Sequence, residues 1–207
     1  MASLRMEQKN FDQLEEDLTG TNMFGMSLLS FLFYLGLSLL LIYFFHEGGF
    51  PKIFEHGYSI SCQVMIGLCA GTVAALVVMF LSSRSPIADI LDDFALFRVI
   101  ANTKFSAFDR VQISLFAGTG EEILFRGAIQ PLLGIWVTSI IFIAIHGYFK
   151  FKSIGHILFG LMLFGLSMML GVLYEISGLI SAMAAHAIYD LVMLEWVKRR
   201  GERIKKL

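Results

Sequence analysis

ISCQVMIGLCAGTVAALVVMFLS, residues 60–82, runs 23 residues without one charged side chain. As a helix it is about 34 Å long, enough to cross a hydrocarbon core of about 30 Å. Runs of the same kind lie on both sides of it, near 23–45, 110–130, 132–149, 154–174 and 178–196. The 207-residue chain is 57% hydrophobic and 16% charged, against about 25% charged in an average soluble domain. Its mean hydropathy is +0.72. These values predict an all-α protein, a polytopic transmembrane bundle of about six helices, and exclude a soluble enzyme with one anchor. No stretch is both basic and aromatic, which argues against a nucleic-acid partner. Cys62 and Cys69 fall on one face of the 60–82 helix and carry no disulfide or zinc signal. Gly67 and Gly71, beside Ala70 and Ala74, predict close helix packing inside the bundle.

The organisation is one transmembrane domain over 23–196 between an acidic tail, 1–22, and a basic tail, 197–207. Glu15, Glu16 and Asp17 stand in a row in the first tail, with no basic n-region or cleavage site that would mark a signal peptide. The turn His46-Glu47-Gly48-Gly49-Phe50-Pro51 ends the first helix. Over 86–109, Ile87, Ile90, Leu91, Phe94 and Phe97 recur at helical spacing among Asp89, Asp92, Asp93 and Arg98. This predicts an amphipathic surface helix lying on the inner leaflet. Threading six helices with the N-terminus inside places 14 of the 16 Lys and Arg residues on the cytoplasmic side, with Lys52 outside and Arg126 in the membrane. The positive-inside rule therefore predicts an integral membrane protein with both termini cytoplasmic.

Within these apolar runs stand charges that are costly there. Glu121-Glu122-Ile123-Leu124-Phe125-Arg126 puts three ionisable groups in a turn and a half. His146 closes a later run, and His186 with Asp190 lies in the last. A charge at the bilayer centre costs about 2.5–3.5 kcal/mol, so such groups mark function. Counting along the helices puts Glu121 about 16 Å, His186 about 15 Å, Asp190 about 9 Å and His146 about 6 Å from the cytoplasmic boundary. Similar depths predict one shared cavity open to the cytoplasm.

Spacing assigns roles. Glu122 and Arg126 are i,i+4 and form a supporting pair. Glu121, turned about 100° away, is left as the reactive carboxylate. Asp190, i,i+4 from His186, holds that imidazole's orientation. Glu121 as a general base with His146 and His186 makes a hydrolytic site. The same Glu121, His146 and His186 make a zinc ligand set with an open position, so zinc and no cofactor both stay open. His46, His56 and His156 lack a carboxylate at helical spacing and read as structural.

Glu-Glu-x-x-x-Arg at 121–126, Phe-x-x-x-His at 142–146 and His-x-x-x-Asp at 186–190, in that order, resemble the CAAX-protease and bacteriocin-processing family. These are the CPBP or Abi intramembrane proteases, and the likeness covers about 110–195. It implies a bacterial-type intramembrane endopeptidase acting on a peptide or membrane-protein substrate in the lipid bilayer. It also implies Glu121 as the water-activating glutamate and His146 and His186 as catalytic histidines. Asp190 falls where the family has Asn or Asp, and the resemblance leaves the metal question open. Two rival readings are a non-catalytic immunity or scaffold protein that retains the site, and a small proton-coupled transporter, which inverted repeats would favour. No such repeat is present in the sequence.

Overall fold

The structure, a computed structural model, describes residues 20–103 and 105–204. The acidic run Glu15–Asp17, Lys104 and the end of the basic tail, 205–207, lie outside the described residues. Among those described there is no strand. The elements are α1 (Gly20–Phe45), a short α2 (Gly49–Lys52), α3 (Ile60–Ser82), a 3₁₀ helix (Ala88–Asp93), α4 (Ala95–Asn102) and α5 (Ala107–Glu122). A π-helical segment (Ile123–Ile129) follows, then α6 (Gln130–Ile145), α7 (Ile154–Ser177) and α8 (Leu179–Ile204). Five helical stretches are long and apolar enough to cross a membrane, among them Ala107–Ile145 with its 39 residues. This is an integral membrane protein built as a helical bundle.

The stretch 107–145 holds two arms. A straight helix would separate residues 121 and 146 by about 37 Å. Instead a Glu121 oxygen lies 3.4 Å from His146 Nε2. The reversal is at Gly134, whose φ of 75° and ψ of 165° interrupt the helix in the left-handed half of the map, where glycine alone is at ease. The two expected helices, 110–130 and 132–149, are thus a hairpin with its bend at 134. The second arm ends at Ile145, so His146 caps it instead of lying a turn inside.

The remaining order follows from the contacts. Phe116 of α5 packs on Phe24 and Phe31 of α1 at 5.8 and 5.4 Å between centroids. Arg110–Glu195 and Glu122–His186 pair α5 with α8 in antiparallel sense. Gly67 and Gly71 face α8 so closely that an added Cβ would run into the carbonyls of Ser181 and Ala185. The small-residue pattern therefore works inside the bundle. Gly118 makes the matching close approach of α5 to Ala187.

The amphipathic segment behaves differently from its expectation. It is split into the 3₁₀ helix and α4, and Ile87, Ile90, Leu91, Phe94, Phe97 and Ile100 are buried in the protein's own core. Phe94 lies 4.9 Å from Phe159 and 5.9 Å from Tyr148, and Lys150 Nζ sits 4.2 Å above the Phe94 ring. An apolar face at helical spacing fits a lipid surface and a protein groove equally well. Here α7 and α8 supply the groove, and the segment plugs the end of the bundle. The last helix also continues past 196, to Ile204.

Candidate active site

α5, the π segment, α6 and α8 bring the ionisable groups together. Glu121 Oε2 is 3.4 Å from His146 Nε2 and 4.0 Å from His186 Nε2. His186 Nε2 is 3.6 Å from Asp190 Oδ2. Glu121, His146, His186 and Asp190 all line one cavity of about 320 Å³, which Glu122 and Arg126 do not reach. A cavity of that size accepts several waters or a short stretch of peptide.

Solvent access grades the groups. The side chains of Glu122 and Arg126 are 0% exposed, His186 9%, Glu121 11%, His146 23% and Asp190 27%. The two innermost charges are thus closed to solvent, and the other four side chains keep some access to it. Arg126 Nε donates to Glu122 Oε2 at 3.0 Å, and its other nitrogens donate to Gln130 Oε1 at 3.3 Å and Ser167 Oγ at 2.9 Å. Gln130 passes the network on to the Gly171 carbonyl at 3.1 Å and Glu175 at 3.0 Å. A buried guanidinium held by three acceptors on three helices keeps the π segment registered on α7. π-helical turns are rare and recur at functional sites. Here one carries Phe125 and Arg126 immediately after the two glutamates.

The imidazoles are oriented by partners that spacing did not single out. His186 Nδ1 donates to Glu122 Oε1 at 2.8 Å. Glu122, and not Asp190, therefore fixes the ring, and Nε2 is turned to the cavity. Asp190 lies at Nε2, beyond good hydrogen-bond length. His146 Nδ1 donates to the Phe142 carbonyl at 2.7 Å, which again leaves Nε2 facing Glu121. Its ring is sandwiched by Phe142 at 4.4 Å and Tyr148 at 5.8 Å, the latter nearly parallel. Burial pushes the Tyr148 hydroxyl well above its ordinary pKa, and the Asp190 and Glu121 carboxylates add to the shift. The phenol stays protonated beside the site. Tyr148 was not singled out because the expected 132–149 helix takes it in as one more apolar-run residue, whereas the arm ends at Ile145 and leaves it in the following loop. The cue was its place two residues after His146.

The three remaining histidines make fixed contacts. His46 Nε2 donates to Ala128 O at 2.8 Å, satisfying a carbonyl of the π segment, and His56 Nε2 donates to Glu175 O at 2.7 Å. His156 is buried between Ser153 Oγ at 2.9 Å and Asp93 at 3.2 Å.

Zinc bonds of about 2.0–2.1 Å place neighbouring tetrahedral ligands about 3.3 Å apart. The Glu121–His146 separation matches, but Glu121–His186 at 4.0 Å is too wide. Among the described residues no three His, Cys, Asp or Glu groups are set to hold a metal ion. The side chains as arranged do not fit a zinc set of Glu121, His146 and His186, one of the two alternatives the sequence leaves open.

Comparison with known proteins points the same way as the motifs. Residues 103–192 match the family model of Rce1-like type II CAAX prenyl endopeptidases. The chain is 38% identical over 81 residues to an uncharacterized protein, YpbD, of Bacillus subtilis (strain 168), covering 39% of this chain. It spans about two fifths (41%) of that relative's length. No solved structure matches. The matched region runs from just before α5 through the hairpin to Asp190, so it contains every ionisable group of the cavity: it is over residues 103–192 that the chain is similar to the Rce1-like CAAX endopeptidases.

Proposed function

We propose that the protein is an intramembrane endopeptidase, CAAX-protease-like, that hydrolyses a peptide bond with a Glu121-activated water. The observation that carries this reading is the convergence of one carboxylate and two imidazole Nε2 atoms within 4.0 Å inside a cavity largely lined by apolar side chains. Water held at Glu121 attacks the carbonyl carbon while Glu121 Oε2 takes its proton. A protonated His146 or His186 donates from Nε2 to the oxyanion. Glu121 then returns the proton to the leaving amine as the C–N bond breaks, giving a new carboxylate and a new amine. Glu122 holds His186 and, with Arg126, fixes the helix that carries both glutamates. The aromatic and aliphatic lining favours a short hydrophobic peptide or a leader segment as substrate.

The test uses the purified full chain in vesicles, a set of hydrophobic membrane peptides, and ¹⁸O-enriched water. The expected result is cleavage with one ¹⁸O atom in the new carboxyl group. Peptide binding with no cleavage would favour the scaffold reading instead.

The same proposal includes orientation: the cavity opens to the cytoplasm. The basic residues Lys150, Lys152, Arg199, Arg200 and Arg203 gather at one end of the bundle, and Lys52 stands at the other. Labelling with an impermeant thiol reagent checks this in a chain whose Cys62 and Cys69 are replaced by Ser. Exposed Glu55 and Lys152 serve as the single-cysteine positions. Reagent added outside cells is expected to label Glu55→Cys and spare Lys152→Cys. The reverse pattern would overturn the orientation.

A further inference from the structure

At the basic end of the bundle a second cavity, of about 930 Å³, lies between the end of α3, the start of α5 and the last turns of α8. Its two levels differ in chemistry. Met79, Val111, Leu191 and Val192 line the deeper part. Toward the helix ends, Trp196, Arg110, Arg199 and Arg203 line the rest. The change coincides with the end of the apolar span at Ser82, where a bilayer gives way to headgroups.

The charges are only partly neutralised within the protein. Glu195 serves two arginines, Arg110 at 3.1 Å and Arg199 at 2.6 Å. Arg200 pairs with Asp92 at 2.9 Å. Arg203 makes no ion pair among the described residues. Ser82 lines the same cavity, is 1% exposed, and its Oγ is a buried hydroxyl without a hydrogen-bond partner among the described residues. Surplus positive charge, an orphan hydroxyl, an interfacial tryptophan and an apolar floor match one ligand class.

We propose that this cavity binds an anionic phospholipid, its phosphate among Arg199, Arg203 and Ser82 and its acyl chains on the floor between α3 and α8. Basic pockets between helices at the inner leaflet recognise such headgroups. Arg110 lies on the helix that carries Glu121, and Leu191 follows Asp190, so a lipid seated here braces the two helices that hold the candidate active site. The inference does not depend on hydrolysis.

The experiment is native mass spectrometry of the full chain in neutral detergent, with phosphatidylglycerol and phosphatidylcholine of matched acyl chains. Thermal unfolding with each lipid and with inorganic phosphate runs in parallel. Phosphatidylglycerol is expected to be retained and to raise the melting temperature, and phosphatidylcholine to do neither. Arg203→Gln and Arg199→Gln should each weaken phosphatidylglycerol retention about fivefold. Lys52→Gln, at the opposite end, should leave it unchanged. Because Arg203 holds no ion pair among the described residues, Arg203→Gln is expected to keep the lipid-free melting temperature and so isolates binding from folding. Equal retention of the two lipids, or undiminished retention by Arg203→Gln, would overturn the site. Stabilisation by millimolar phosphate equal to that by phosphatidylglycerol would overturn the lipid as its ligand.

Discussion

Glu121→Gln is expected to lower peptide hydrolysis by about 10²–10⁴-fold, the usual contribution of a positioned proton acceptor, while the protein melts as before. Glutamine has the same shape and keeps an oxygen near His146, but it cannot take a proton from water. Glu121, unlike Glu122, takes no part in the hydrogen bonds of the fully buried Arg126. Its closest charged neighbours are the two Nε2 atoms, at 3.4 and 4.0 Å, and it lines the cavity. Glu122 is the opposite case. It is fully buried and accepts from both Arg126 and His186. Glu122→Gln should therefore cost stability as well as activity. The comparison needs initial rates on the same peptide and melting temperatures for both variants in one detergent. Equal destabilisation by the two substitutions would end this division of labour, and an active Glu121→Gln protein would remove Glu121 from the reaction.

How much of this was legible in the chain depends on the kind of information. Apolar length is written directly in the sequence, because the bilayer sets it. The helix over 60–82 appears with those bounds, and the fifth and sixth begin where expected, at Ile154 and Leu179. Clustering of charges was legible for a similar reason. Each charge on an apolar helix needs a partner, and depth counting alone placed four of them together. Three features were not legible. The π segment has no sequence signature, since Ile-Leu-Phe-Arg-Gly-Ala-Ile fits an α-helix as well. Its geometry is tied instead to the Arg126 contacts on α7 and to His46, 82 residues away in sequence. The plug at 86–102 depended on whether its apolar face met lipid or protein, which periodicity does not encode. The holder of His186 was misread because i,i+4 logic sees only one helix. Asp190 is four residues away, but Glu122 is 64 residues away and closer in space.

The largest stability effect is expected at Arg126. Arg126→Met should destabilise the protein by about 3–5 kcal/mol, the cost of leaving one member of a buried pair alone. The stranded group is the Glu122 carboxylate, 0% exposed, whose remaining partner is His186 Nδ1 at 2.8 Å. Gln130 and Ser167 lose a donor at the same time. The double variant Glu122→Gln with Arg126→Met removes both charges, and the new amide oxygen still accepts from His186 Nδ1. It should therefore be more stable than Arg126→Met alone, although it carries one substitution more. Denaturant unfolding of the parent, both single variants and the double variant closes the cycle. A loss below about 1 kcal/mol at Arg126→Met would place this pair with exposed salt bridges. A double variant less stable than either single one would mean that the charges act independently. The expected sign of the coupling requires that Glu122 and Arg126 neutralise each other where water does not reach. That is the condition under which Glu121, next to them but facing the cavity, is left free to meet water.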